Sequence, residues 1–211
     1  MLAVIVLFDR FTALDAVGPY EVLSSLPGTE VIFAAHAPGP VANEKGTLRL
    51  IADTALAGVP HADVIVVPGG PGQHARMTDE ALLGWLRAMD AGSAWTTSAC
   101  TGSLLLAAAG LLKGRRATTH WLAMDQLAGL GTVPAAGRVV TDGKYMTAAG
   151  VSAGLDMALA LAGRLAGDAV AQSVQLALEY DPQPPYQAGS PATAPAAIAD
   201  ALRARRSSIL T

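Results

Sequence analysis

The single cysteine of the chain, Cys100, sits in Ser98-Ala99-Cys100-Thr101-Gly102-Ser103. Ala94-Trp95-Thr96-Thr97 before it is short and β-prone, and Leu104-Leu105-Leu106-Ala107-Ala108-Ala109 after it is strongly helical. This order predicts a tight strand-to-helix turn that pushes the thiol out above the sheet. Gly102 lets the backbone pack closely just behind it. Backbone N–H groups converge at a helix start, and the helix dipole favours a thiolate there, so a thiol pKa below the free value is expected. A reactive thiol beside free N–H donors suits acyl transfer or hydration. A lone cysteine without that context is ordinarily a small buried hydrophobe.

Other residues could complete such a site. Asp15 lies where a loop enters the first helix. It reads either as an N-cap accepting backbone hydrogen bonds or as a carboxyl beside Cys100 that exchanges a proton with the thiol or water. Glu21, six residues on, reads first as a helix-face or salt-bridge carboxylate. Gly69 and Gly70 belong to a glycine-rich turn, Pro68-Gly69-Gly70-Pro71-Gly72. Paired with the N–H of Thr101, the N–H of Gly70 would make a two-donor anion hole. His120 beside Trp121 is a packing residue on one reading and a base or donor at the cleft on the other. His36, His61 and His74 fall in loops. Arg203, Arg205 and Arg206 suit a helix C-terminus.

The elements that must position these residues follow from the apolar pattern. Continuous runs at 2–7 and 63–67, and the β-prone stretch before Cys100, predict buried parallel strands; 30–35 predicts another strand. Helices are predicted over 13–26 and 78–91, from 104 to near 110–112, over 121–130, from the 150–154 segment to about 166, and over 168–179 and 196–206. Pro19 should start the first near Gly18 or kink it, with Val17, Val22 and Leu23 inward. Thr78 should cap the second, with Ala81, Leu82, Trp85 and Met89 inward. Residues 36–46 read as a loop, 48–50 and 116–119 as short strands, and Asp142-Gly143 as the turn of a hairpin. Alternating strands and helices imply an α/β fold: an open, mostly parallel sheet with helices on both faces, a flavodoxin-like sandwich with the cysteine at a nucleophile turn. Chemistry then gathers at the strand C-termini, where the 8–18 loop, the 68–72 turn, the Cys100 turn, the 119–121 segment and residues 150–152 converge.

Composition narrows the function classes. With 211 residues, 52% hydrophobic and 15% charged, the chain can bury a large core. It is read as one domain over 1–211, with a proline-rich arm at 181–195 and a C-terminal helix. A net charge of −3 gives no general attraction to nucleic acid or an anionic membrane. One cysteine excludes an intramolecular disulfide framework and any multi-cysteine metal site. The uncharged stretch 94–112 carries Thr and Ser at its middle and reads as strand plus helix rather than a membrane span. No export signal is read at 2–8, and the cytoplasm is the expected compartment.

The motifs Asp15-Ala16-Val17-Gly18-Pro19-Tyr20-Glu21-Val22, Val67-Pro68-Gly69-Gly70, Ser98-Ala99-Cys100-Thr101-Gly102 and Ala117-Thr118-Thr119-His120-Trp121 together resemble the ThiJ/PfpI branch of the class I glutamine-amidotransferase-like superfamily, over nearly the whole chain. Within it, 104–121 and the tail running from Val174 through Tyr180-Asp181-Pro182 to Ser190-Pro191 resemble the isocyanide (isonitrile) hydratases. Thr118-Thr119-His120-Trp121 is shared with the sensor domains of AraC-type regulators. The resemblance implies Cys100 as nucleophile, Asp15 as its carboxyl partner, and Gly70 with Thr101 as the donor pair. Protease-like members carry a histidine where this chain has Thr101, so a peptidase triad is not expected.

The resemblance therefore implies a homodimeric hydratase of small uncharged isocyanides. Cys100 adds to the terminal carbon, a thioimidate forms, and water releases an N-substituted formamide. Metal and cofactor are not expected. Leu14, Gly69, His120, Trp121 and Val151 are expected to wall the substrate pocket. The rivals are a cofactor-free glyoxalase of the same branch and a ligand- or redox-sensing regulator. The latter is disfavoured because no basic recognition helix follows the domain within this chain.

Overall fold

The apolar runs become the middle of one sheet. The computed structural model describes residues 1–210. Its strands are Leu2–Val6 (β1), Glu30–Ala35 (β2), Gly39–Ala42 (β3), Arg49–Ala52 (β4), Thr54–Ala55 (β5), Val64–Val67 (β6), Trp95–Ser98 (β7), Arg116–Ala117 (β8), Val133–Pro134 (β9), Val139–Asp142 (β10) and Tyr145–Ala148 (β11). Its α-helices are Ala13–Leu23 (α1), Gln73–Arg76 (α2), Glu80–Asp90 (α3), Gly102–Ala108 (α4), Met124–Gly129 (α5), Ala153–Ala166 (α6), Asp168–Ala177 (α7), Ala196–Ala204 (α8) and Arg206–Leu210 (α9).

The seven-stranded sheet runs β10-β11-β7-β6-β1-β2-β5. Each neighbouring pair is parallel except the β10–β11 hairpin at one edge. Every residue of β6 is buried, as a strand covered on both faces requires. α1 packs on α6 against β1, β6 and β11, while α4 lies on β6 and β7 with α2, α3 and α5 around it. This is the flavodoxin-like α/β sandwich that the sequence predicts. The register pairs Val66 with Thr97 and Thr147 with Ser98. The C-terminal ends of β1, β6, β7 and β11 therefore open side by side on one edge.

Several local expectations are corrected. α1 starts at Ala13 and passes through Pro19. The buried proline ring packs against Gly154 of α6, where a β-carbon would stand 3.6 Å from it, and this packing offsets the hydrogen bond that proline removes. Val17 is only half-buried. Asp79, not Thr78, caps α3, its carboxylate accepting from Leu82 N–H at 3.2 Å. Ala81 faces solvent, and Leu83 and Leu86 take the inward positions. Part of the 36–46 loop is β3, which pairs antiparallel with β4. The hairpin turn is shifted by one residue: Asp142 pairs with Tyr145 in the ladder, leaving Gly143, at φ 61°, and Lys144 as the turn. That places glycine at the first central position, where a two-residue turn needs positive φ. The strand expected at 116–119 is only the two-residue β8. The helix expected at 121–130 opens as a 3-10 turn, Trp121–Ala123, before α5.

Candidate active site

Cys100 sits between the end of β7 and the start of α4, at φ 54°. A non-glycine residue in this left-handed region is costly and is held only where its surroundings over-determine it. Here they do. The Cys100 N–H donates to Ala149 O at 2.8 Å, and its carbonyl accepts from Thr119 Oγ1 at 3.0 Å. The turn also needs glycine behind it, since a β-carbon on Gly102 would stand 2.0 Å from Val67 O. Cys100 as a residue is 5% exposed.

Asp15 is not an N-cap. Thr12 holds that position, and Asp15 lies in the first turn of α1 with its side chain wholly buried. Its Oδ2 accepts from the Gly69 N–H at 2.9 Å, while Oδ1 has no hydrogen-bond partner of good geometry. The carboxyl interacts with the Cys100 thiol nonetheless. Burial pushes the Asp15 pKa up from 3.8 to about 7, against the lowering pull of Gly69 N–H and of Cys100, and the charge of Glu44 adds to the rise. Burial likewise pushes the Cys100 thiol up, helped by the Asp15 charge and opposed by the backbone N–H and hydroxyl of Thr101. The lowered thiol pKa expected from the helix start is therefore reversed in this state. Desolvation and a neighbouring carboxylate outweigh the N–H groups, leaving a protonated thiol beside a carboxyl that changes its protonation around neutrality.

Thr101 links two parts of the site. Its hydroxyl accepts from Gly70 N–H at 3.0 Å and hydrogen-bonds the Cys100 sulfur. The Gly70 N–H is thus engaged by Thr101 rather than free. Gly70 itself has φ 122°, and a β-carbon there would stand 2.5 Å from Thr12 N, so the turn is tied to the 8–18 loop. Gly69 does not line the adjoining cavity. Its N–H holds Asp15 and its carbonyl accepts from Thr12 N–H at 2.8 Å.

That cavity is about 760 Å³ and is walled by Leu14, Thr118, His120, Trp121, Met124, Ala136, Gly137, Arg138, residues 149–152 and residues 189–192. Leu14, His120, Trp121 and Val151 thus share one cavity wall with Ala149, whose carbonyl accepts the Cys100 N–H, while Cys100 itself is not part of that wall. His120 Nδ1 accepts from Leu122 N–H at 3.3 Å, and burial lowers its pKa, so the ring is neutral at neutral pH. Arg138, the one lining residue with a fixed charge, is bound to Asp156 and Ser152. Glu21 is exposed on α1. Among the described residues, no group of three or more His, Cys, Asp or Glu is placed to hold a metal ion, and no helix is long and apolar enough to cross a membrane.

Sequence reasoning missed two features of the site. Glu44 has a buried, unpartnered Oε2 and acts electrostatically on Asp15. It sits in a loop with no motif around it. The arm residues 189–192 wall the cavity, yet their segment carries no apolar period that would point there.

A sheet whose strand ends present a strained cysteine over a buried carboxyl defines the class, and the chain belongs to the DJ-1/PfpI family, whose model matches residues 1–164. It is 48% identical over 199 residues to isonitrile hydratase of Pseudomonas putida, an alignment spanning 94% of this chain and 87% of that protein. It is 34% identical over 138 residues to the HTH-type transcriptional regulator CdhR of Pseudomonas aeruginosa, spanning 64% of this chain and 40% of that one. A ThiJ/PfpI family protein from Pseudomonas syringae superposes with a TM-score of 0.95 at 37% identity, over 99% of this chain and 87% of the other.

Proposed function

We propose that this chain is a hydratase that converts isocyanides to N-substituted formamides through a covalent thioimidate on Cys100. The chemistry is carried by one observation: a buried carboxyl, Asp15, held near pKa 7 against a thiol at a strained turn. The substrate class is supported by the likeness to isonitrile hydratase and by a large cavity whose one fixed charge is already paired.

Asp15 takes the thiol proton as sulfur adds to the terminal carbon of R–N≡C. Addition leaves an electron pair on that carbon, and Asp15 returns the proton to it, giving Cys–S–CH=N–R. Water then adds to the same carbon. Asp15 accepts a proton from water and delivers one to nitrogen. Collapse of the adduct breaks the C–S bond, returns a proton to sulfur and releases R–NH–CHO. The balance is R–NC plus one water, which is consumed, giving R–NH–CHO, and the net reaction transfers no electrons to any acceptor. The N–H of Thr101 steadies charge on sulfur. Gly70 N–H acts through the Thr101 hydroxyl, polarising it towards sulfur rather than binding the reacting atoms directly. A pKa near the working pH suits one group to both giving and taking protons.

The test is product identity. With an aryl isocyanide, NMR should show the corresponding formamide forming at a rate that depends on enzyme. Turnover of methylglyoxal with isocyanide untouched would replace this reading with the glyoxalase one.

We also propose that the working form is a homodimer in a reducing compartment such as the cytoplasm, where a single free thiol stays reduced. Exposed Leu176 and Tyr186, at 78% and 79% exposure, support a covered surface formed by α7 and the arm. Sedimentation at micromolar concentration should give a dimer, and a monomer would refute it.

A further inference from the structure

Trp121 divides two spaces. On one side is the 760 Å³ cavity, whose wall includes Ala149, the acceptor of the Cys100 N–H, and on the other a void of about 70 Å³ backed by Ile198, Ala199 and Leu202 of the α8 region. Gly189, Ser190 and Pro191 line both, so the indole and this stretch of the arm together form the partition. The arm holds its own shape there. Ala194 N–H donates to Ser190 O at 2.8 Å, and the Ser190 and Thr193 hydroxyls lie 2.9 Å apart. The partition is also clamped from behind. The Arg203 guanidinium lies 5.5 Å from the Trp121 ring centroid, within cation–π range. Arg206 makes paired hydrogen bonds to Asp125, at 2.7 and 2.5 Å, tying the C-terminal helices to the segment that follows Trp121. The arm, Arg203 and Arg206 lie beyond residue 164, where the family match ends.

We infer that the arm at 189–191 and the Trp121 indole are the size determinant for the R group, and that Arg203 is the positioning residue that fixes the indole. This rests on the hydratase reading for the identity of the substrate, but not for the existence of the wall. The partition closes one side of the cavity and stops an R group long enough to reach it from entering the smaller void. Removing the indole joins the two spaces. Removing the guanidinium lets the indole swing and blurs the limit.

The experiment measures two ratios on the full chain. The first is kcat/KM for a naphthyl isocyanide over that for a methyl isocyanide. The second is the alkylation rate of Cys100 by N-naphthyl iodoacetamide over that by N-methyl iodoacetamide, which needs no turnover. Trp121→Ala should raise both ratios about tenfold, the span that differences in apolar pocket volume produce. The change in turnover should fall mainly in KM of the large substrate. Arg203→Ala should raise them about threefold, the scale of a lost exposed cation–π contact, and Arg203→Lys should restore most of the wild-type value. Ala192→Leu, on the exposed arm, should lower both ratios and serves where Trp121→Ala fails to fold. If wild type hydrates neither isocyanide, the hydratase reading falls while the alkylation ratio still decides the wall. Ratios unchanged in Trp121→Ala, or in Ala192→Leu where the former does not fold, overturn the inference. Ratios unchanged in Arg203→Ala overturn the positioning role.

Discussion

Asp15→Asn is expected to reduce turnover by about 10²–10⁴-fold, the usual contribution of a general acid–base group, while making the protein more stable at pH 8. The amide keeps the fold's demands. Its oxygen can accept from Gly69 N–H, as Oδ2 does now at 2.9 Å. Its NH₂ can donate towards the Cys100 sulfur, on the side where Oδ1 has no partner. What disappears is a buried carboxyl whose pKa stands at about 7 rather than 3.8. A raised carboxyl pKa means that the folded state binds this proton more tightly than the unfolded state does. Stability from this group is therefore complete below about pH 4 and is lost as pH rises through about 7. Three pKa units correspond to a change on the order of 4 kcal/mol. Melting temperatures of wild type and variant should converge near pH 4, diverge progressively up to about pH 7 and stay apart above it, with the variant higher. The thiol should move the opposite way from activity: losing the Asp15 charge removes one of the causes that hold its pKa up, so Asp15→Asn should alkylate faster at pH 7 while hydrating far more slowly. A variant less stable at pH 8 would show that the carboxylate is satisfied in the fold, and that Asp15 is structural.

The sequence exposes the frame of this site more fully than its electrostatics. β1, β6 and β7 are legible because strands buried on both faces leave continuous apolar or β-prone runs. The turn at Cys100 is legible because a helix-prone run follows a glycine two residues on. Asp15 is recognisable as a candidate, but its burial and its place inside α1 depend on packing from Gly69 and Cys100, which are distant in sequence. The sign of the thiol shift has the same origin. Helix-start N–H groups are a local feature, whereas desolvation and the opposing carboxylate are tertiary. β3 escapes notice because Gly39-Pro40 reads as loop, although an edge pairing with β4 tolerates proline. Pro19 misleads in the other direction, since a local helix breaker is overruled by its burial against α6. The arm is the least legible part, because its contribution is a shape formed by turns of its own around Ser190 and Thr193.

Cys100→Ser should fold normally and lose turnover by on the order of 10⁴-fold or more, as removal of a covalent nucleophile does elsewhere. Serine is smaller and meets the same backbone demand at φ 54°, with the Cys100 N–H and carbonyl still held by Ala149 and Thr119. Its hydroxyl keeps Asp15 and Thr101 as neighbours, so the change in stability should stay within about 1 kcal/mol, the worth of one hydrogen bond. The chemistry fails for a different reason. A carboxyl near pKa 7 is a competent base for a thiol but far too weak for an aliphatic alcohol, and oxygen is the poorer nucleophile and leaving group for the thioimidate cycle. Mass spectrometry of acid-quenched wild type should therefore find Cys100 carrying the mass of one isocyanide, and Cys100→Ser should carry none. A serine variant that retains hydration would remove the covalent step and leave Asp15 activating water directly. An unmodified Cys100 in a wild type that still turns over, together with a serine variant that still hydrates, would lead to the same conclusion from the intermediate's side.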